Sequence, residues 1–320
     1  MPPQLEDPPT SRTVATTPAR QLQATMAATR ISFTWFGVRK ALSAAQKEQA
    51  ADSFAAEAKF LSATKKLLDT RHAAYQAVTA VRGQVLAYWK ALTLPYPEPG
   101  LRLIRQADLA AFDAQLQTFR SDLDQAVSGL EEHSAELRES ARQRLGNLYN
   151  ARDYPSTLTG EFAMAWEYPT VEPPDYLRRL NPALYEQECQ RVQQRFNDAV
   201  ELAEQAFLDE LSKLVGHLTD RLAGTDDGRP KVFRDSAVDN LTEFFDRFHR
   251  LNIRSNDELD GLVEQTQRIL RGVVPQQLRD HGDIRQRVTN QMAGVQATLD
   301  QLLVERPRRS ILRPTRPEPT

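Results

Sequence analysis

The sequence lacks several features that would assign it to a class of protein. Its one cysteine, Cys189, among 320 residues excludes an internal disulfide and a zinc site built from cysteines. No stretch approaches the roughly 18–20 continuous apolar residues that a membrane span needs. Residues 1–30 are polar and have no apolar signal-peptide core. We therefore expect a cytoplasmic protein without a membrane anchor.

An excess of charge of either sign is also absent. Lys and Arg total 41, Asp and Glu total 43, and the formal net charge is -2. This balance gives the whole chain no field that would attract nucleic acid or anionic lipid. Glycine is scarce at 13 residues, and the 19 prolines are clustered. Because the dominant residues lose little side-chain freedom in a helix, the composition predicts long helices separated by proline-rich breaks.

Apolar residues recur at steps of three and four in three long segments, which is the pattern of a helical seam. The segments span about 52–92, with Phe54 on the seam, then Asp108 to about Tyr149, and finally Asn181 and Pro182 to Leu222, with Gly224 as a cap. The second has the most regular heptads. At 1.5 Å per residue it would be about 60 Å long, so it needs neighbours of similar length.

These seams predict an all-α fold, an elongated antiparallel helical bundle or coiled coil of three long helices with a smaller helical C-terminal domain. The predicted domains are a disordered N-terminal arm (1–28), the bundle (29–224) with an aromatic proline-rich connection (153–174), a small helical domain (225–305) and a disordered Arg/Pro-rich tail (306–320). One short extended segment is predicted at 31–35. The seams can pair within one chain or between chains, so a homo-oligomer is possible.

Four segments of the chain carry a resemblance to a known family. They are 33–40, then 94–97 with 100–104, then 145–149 leading into 153–155, and 232–236. Together they resemble an uncharacterised bacterial and phage helical family, domain of unknown function 3150. The resemblance implies a helical fold and a bacterial or phage source, and it transfers no site residue. The resemblance also implies that the partner is a ring ATPase.

Motifs that would carry catalysis are not evident. Segment 224–231 has the wrong spacing for a phosphate-binding loop, and its two aspartates would repel phosphate, so we expect a turn. Cys189 lies on the seam of the third helix, where a buried structural cysteine is expected. We therefore predict a protein that is not an enzyme and has no cofactor.

The histidines do not form an obvious metal motif. His133 and Glu136 are three residues apart, as are Asp246 and His249, but no second pair completes the ligand set of a metal site in a bundle. His72 and His133 occupy seam positions, where a polar residue often sets coiled-coil register. We therefore predict no bound metal.

The aromatic connection allows two interpretations. Its aromatic residues either pack on the helical rod or form a surface for a protein partner. The candidate partner-binding residues are Tyr154, Phe162, Trp166 and Tyr168. The leading functional prediction is a non-enzymatic coiled-coil scaffold or adaptor that presents a helical rod and this aromatic loop to protein partners in a larger bacterial or phage assembly.

The arginine-rich tail supports an alternative function. Its candidate contacts to nucleic acid or to an acidic partner are Arg306, Arg308, Arg309, Arg313 and Arg316. Such a tail would bind phosphates without sequence preference and with a strong dependence on salt. A third possibility, a membrane-active protein of the pore-forming kind, is disfavoured because no apolar hairpin tip is apparent.

Overall fold

A computed structural model describes residues 17–223 and 235–305 of the chain. Its strands are β1 (Met26–Trp35), β2 (Arg39–Ala41), β3 (Thr64–Lys66), β4 (Thr93–Pro95), β5 (Arg102–Arg105) and β6 (Phe162–Glu167). Its helices are α1 (Pro18–Thr25), α2 (Ala44–Asp52), α3 (Ala73–Leu92), α4 (Leu109–Glu132), α5 (Ser134–Leu145), α6 (Asp175–Leu180), α7 (Pro182–Ala223), α8 (Ser236–Leu251), α9 (Asp257–Leu270), α10 (Pro275–Asp280) and α11 (Gly282–Glu305).

The chain divides into two compact units. The sheet unit comprises Met26–Leu94 and Glu98–Val171. The helical unit takes the described residues of Met1–Thr25, Pro95–Pro97 and Glu172–Thr320. Residues 17–28, within the predicted N-terminal arm, form α1 and the start of β1. None of the helices in the described ranges is both long enough and apolar enough to cross a bilayer.

The fold is mixed α/β, so the prediction of an all-α coiled-coil bundle is wrong. A four-stranded antiparallel sheet has the strand order β4-β5-β1-β6, and β2 pairs with β3 in a separate two-stranded sheet. The extended segment predicted at 31–35 is the second half of β1. The strand β6 lies within the predicted proline-rich connection 153–174.

One face of the four-stranded sheet supplies the core of the sheet unit. On this face Ile31 lies opposite Trp166, and Phe33 opposite Met164. Helices α3 and α4 pack together and add buried apolar residues to the same cluster, among them Val85, Phe112 and Leu116. Burial of each large apolar side chain stabilises the unit by about 1.5–3 kcal/mol.

The first two predicted long helices are interrupted. Helix α3 begins only at Ala73, because the imidazole Nδ1 of His72 accepts a hydrogen bond from the backbone N–H of Ala74 at 3.3 Å and caps the helix there. The second predicted helix divides into α4 and α5 at His133, whose φ and ψ are -92° and 1°. Neither segment is therefore the continuous rod that the heptads indicated.

The third long helix forms as predicted and organises the helical unit. Helix α7 has 42 residues and starts at Pro182, directly after Asn181, which gives it a length of about 60 Å. Helices α1, α6, α8 and α11 pack against it. The ring of Phe207 on α7 contacts those of Phe244 and Phe248 on α8, with centroid distances of 6.1 and 5.0 Å.

Candidate interaction surface

The four aromatic residues predicted to bind a partner lie at different depths of the sheet unit. Phe162 is 2% exposed and belongs to the core. Tyr154 is half-buried, its hydroxyl donates to the carbonyl of Leu67 at 2.9 Å, and its ring stacks on Tyr149 with centroids 5.4 Å apart. Burial raises the pKa of Tyr154 to about 12. Both side chains therefore contribute to packing.

Trp166 and Tyr168 meet at a shared carboxylate. The indole N–H of Trp166 and the hydroxyl of Tyr168 both donate to Oδ1 of Asp113 on α4, at 2.7 and 3.1 Å. The guanidinium of Arg120 lies 4.2 Å from the Trp166 ring centroid. The hydrogen bond from Trp166 is the largest cause that holds the pKa of Asp113 below its usual range. Tyr168 remains 41% exposed, so this Asp113 cluster presents one aromatic side chain in a fixed position.

A second surface, which the sequence analysis missed, lies on residues 39–66. This segment is named here the arm and is distinct from the predicted N-terminal arm at 1–28. The arm consists of β2, α2, a short 3-10 turn and β3. Phe54 and Phe60 follow α2 and are 80% and 81% exposed. Both rings lie in the connection between the paired strands β2 and β3. Phe54 was assigned to a helix seam, which hid its exposure.

The start of α2 is fixed by a capping box. The Ser43 hydroxyl accepts from the backbone N–H of Gln46 at 3.3 Å, and the Gln46 side-chain oxygen accepts from the backbone N–H of Ser43 at 3.0 Å. This reciprocal pair satisfies two backbone donors that the helix would otherwise leave free. A Ser-x-x-Gln spacing in a sequence indicates the start of a helix, and here it marks the start of α2 at residue 44.

The end of α2 is also closed by backbone hydrogen bonds. The N–H of Ala56 donates to the carbonyl of Ala51 at 3.0 Å, and the N–H of Ala55 donates to the backbone carbonyl of Asp52 at 3.1 Å. Ala55 has a φ of 50°, in the left-handed region. This is the Schellman arrangement. It fixes the direction in which the chain leaves the helix at Phe54.

An ion-pair network, in which Asp153 and Lys65 are buried and Lys40 is exposed, anchors the base of the arm. Lys40 on β2 and Lys65 on β3 are directly opposite each other, and two like charges in that position would repel. The Asp153 carboxylate pairs with both, at 2.7 Å from Lys40 Nζ and 2.6 Å from Lys65 Nζ. Hydrogen bonds from these lysines hold the pKa of Asp153 below its usual range. Lys65 also donates to the carbonyl of Leu148 at 2.6 Å, so the network joins the arm to residues 148–153.

The arm carries more basic than acidic side chains. The basic residues are Arg39, Lys40, Lys47, Lys59, Lys65 and Lys66, and the acidic residues are Glu48, Asp52 and Glu57. Near the exposed rings, the Lys59 ammonium lies 4.9 Å from the Phe60 ring centroid and pairs with Glu57. The arm is therefore basic overall, but the charged residues nearest in sequence to its two exposed rings, Asp52, Glu57 and Lys59, are of both signs.

The remaining predicted site residues are not part of either surface. His72 is half-buried and His133 is exposed, with ring centroids 5.0 Å apart, so the prediction that they set register within a coiled-coil core is wrong. Cys189 is half-exposed rather than buried. The turn predicted at 224–231 and the arginines of the tail (Arg306, Arg308, Arg309, Arg313 and Arg316) lie outside the described residues.

Comparison with known proteins does not assign the chain to a family or a fold. No family model, curated protein or solved structure matches the chain. The resemblance to the bacterial and phage family therefore stays a prediction.

Proposed function

We propose that the protein is a non-enzymatic adaptor that binds a partner protein through the arm, with Phe54 and Phe60 as the anchors. The observation that carries the proposal is that these rings are 80% and 81% exposed. They follow helix α2, whose start and end are both capped by hydrogen bonds. Leaving a large aromatic side chain in water forgoes about 1.5–3 kcal/mol of burial. Insertion into a partner recovers that free energy, and buried aromatic anchors supply much of the affinity of protein interfaces.

The rigidity of the arm supports this role. The capping box at Ser43 and the hydrogen bonds around Ala55 fix the backbone that leads to Phe54 before binding. The Asp153 network fixes the base of the arm. A preorganised anchor loses less conformational entropy on association than a flexible one, and this favours binding.

The charges of the arm define the chemistry of the partner. Asp52, Glu57 and Lys59 flank the exposed rings in sequence, so the partner that fits them has an apolar pocket whose polar rim carries charges of both signs. Asp52 and Glu57 lie close in sequence to the exposed rings, and an anionic bilayer would repel them. A protein is therefore a better fit than a membrane. A ring ATPase, which the family resemblance raises, is one candidate in a bacterial or phage assembly.

Photocrosslinking tests the proposal directly. A photoreactive phenylalanine analogue is placed at position 54 or 60 in the full chain, which is expressed in bacterial cells and irradiated. Tyr176, an aromatic side chain that is 62% exposed in the helical unit, is the matched control position. We expect one discrete adduct with a partner protein, identified by mass spectrometry, from positions 54 and 60 and not from position 176.

Two results would contradict the adaptor proposal. Equal crosslinking from position 176 would show that the adducts are non-specific. An adduct formed only with a second copy of the chain would assign the arm to self-association instead of to a partner.

A further inference from the structure

We propose that His72, His133 and Glu136 form a binding site for a divalent transition-metal ion on the sheet unit. One possible ligand atom from each of these side chains lies within 4.8 Å of the other two. They are the only such group of three among the residues that the structure describes. The cluster joins the start of α3 to the junction of α4 and α5, so it is formed by the fold and not by one sequence motif.

The contact between His133 and Glu136 favours the ring tautomer in which Nε2 of His133 can bind a metal. Nδ1 of His133 lies 3.3 Å from Oε2 of Glu136, one turn further along α5. When Nδ1 carries the ring proton and donates it to this carboxylate, Nε2 has a free lone pair. Carboxylates commonly orient metal-binding histidines in this way. Glu136 therefore serves either as a ligand or as the group that orients His133.

The second imidazole is held close to the first. The rings of His72 and His133 have centroids 5.0 Å apart and planes inclined by 59°. Nδ1 of His72 accepts the hydrogen bond that caps α3, so in this state the ring proton is on Nε2. A metal would use the Nδ1 lone pair and replace the cap hydrogen bond. At 3.3 Å that bond is long, so its loss costs the helix little stability.

The ligand set selects the class of ion. Two imidazoles with a carboxylate suit zinc and the neighbouring late transition metals. Calcium and magnesium prefer sets built from oxygen ligands. The side chains of His133 and Glu136 are 48% and 69% exposed, which leaves them free to rotate toward an ion and leaves open positions for water. Ligand atoms around zinc lie roughly 3–4 Å apart, so the three side chains, whose ligand atoms lie within 4.8 Å of one another, must move slightly closer to hold an ion.

The test uses the full chain, purified without a polyhistidine tag and freed of metal with a chelator. Zinc binding is measured by isothermal titration calorimetry in the wild type and in the variants H72N, H133A and E136Q. Asparagine at position 72 retains the ability to cap the helix and removes the imidazole. His281→Ala, at an exposed histidine outside the cluster, is the matched control, and circular dichroism of the metal-free proteins checks their folding.

We expect the wild type and H281A to bind one zinc ion per chain, with magnesium giving no signal. H72N and H133A should weaken zinc binding by at least about tenfold, and E136Q by a smaller factor. Lowering the pH from about 7.5 to about 5.5 should release the ion, because imidazole binds metals only when it is neutral. Failure of the wild type to bind zinc stoichiometrically, or unchanged binding by H72N and H133A, would overturn the proposal.

Discussion

At the scale of single residues, Ala55 is the clearest conflict between sequence and backbone. Its φ of 50° lies in the left-handed region, where a side chain costs roughly 1–2 kcal/mol. It occupies the position after a helix end that glycine usually fills. Because an alanine at this position is strained, α2 is less stable than its hydrogen bonds would allow.

Replacing Ala55 with glycine should therefore stabilise the protein. We expect A55G to raise the free energy of unfolding by about 0.5–1 kcal/mol, measured by urea denaturation. The neighbouring variant A56G is the control, since that residue does not have a positive φ, and the added freedom of the unfolded chain should lower its stability. Equal destabilisation by both variants would contradict the assignment of strain to Ala55.

Asp153 is the residue on which the base of the arm depends. Its side chain is 4% exposed, and that of Lys65 is 5% exposed. Replacing the carboxylate with an amide leaves the buried ammonium of Lys65 without its counterion. We expect D153N to lower the free energy of unfolding by about 3–5 kcal/mol. Asp69→Asn, at the more exposed pair with Arg144, should change it by less than about 1 kcal/mol.

The pH dependence of stability provides a second readout of Asp153. Because its folded pKa lies below the ordinary value of 3.8, the contribution of the ion pairs is fully present above that value. It is lost as the pH falls through the lowered folded pKa. We expect the stability of the wild type to decline below about pH 4 more steeply than that of D153N. Parallel declines would show that Asp153 does not titrate as described.

At the scale of elements, the Asp113 cluster joins α4 to the residues around the end of β6. Its carboxylate accepts hydrogen bonds from both Trp166 and Tyr168. Asp113→Ala should lower the free energy of unfolding by about 1–3 kcal/mol, because the half-buried indole N–H loses its partner. Asp124→Ala, at an exposed position on the same helix, should change it by less than about 0.5 kcal/mol. Similar effects of the two variants in a urea titration would contradict this account.

The elements differ in how well the sequence predicts them, for a physical reason. Helix α7 was predicted because its apolar period persists over many turns and Asn181 and Pro182 mark its start. The strands β3, β4 and β5 contain only three or four residues each, which is too short for a period to show. In β6, alanines stand between Phe162, Met164 and Trp166, so alternating polar residues do not mark it as a strand.

The arm was missed because steps of three and four residues also occur by chance. The spacing from Phe54 through Leu61 and Leu68 matched a helix seam, although β3 and a 3-10 turn lie within it. The Asp113 cluster could be predicted only in part. Trp166 and Tyr168 were identifiable as adjacent aromatic residues, but their hydrogen-bond partner is more than fifty positions earlier in the chain. A single sequence does not show which residues distant along the chain are in contact.

At the scale of the whole chain, the candidate features lie in the sheet unit. The arm, the Asp113 cluster and the histidine cluster all belong to Met26–Leu94 or Glu98–Val171. The long helix α7 belongs to the helical unit and is largely defined by its buried apolar residues. The adaptor proposal therefore assigns partner binding to the mixed α/β part of the chain, and not to a helical rod as the heptads predicted.

We propose that Phe54 and Phe60 bind the partner without contributing to the fold. The most direct measurement is the affinity of the purified crosslinked partner for the double variant F54S/F60S, compared with the wild type and with Tyr176→Ser. Because both rings are exposed, each substitution should change the free energy of unfolding by less than about 0.5 kcal/mol. We expect F54S/F60S to weaken binding by at least about tenfold, and Y176S to bind as the wild type does. Wild-type affinity in the stably folded double variant would contradict the proposal.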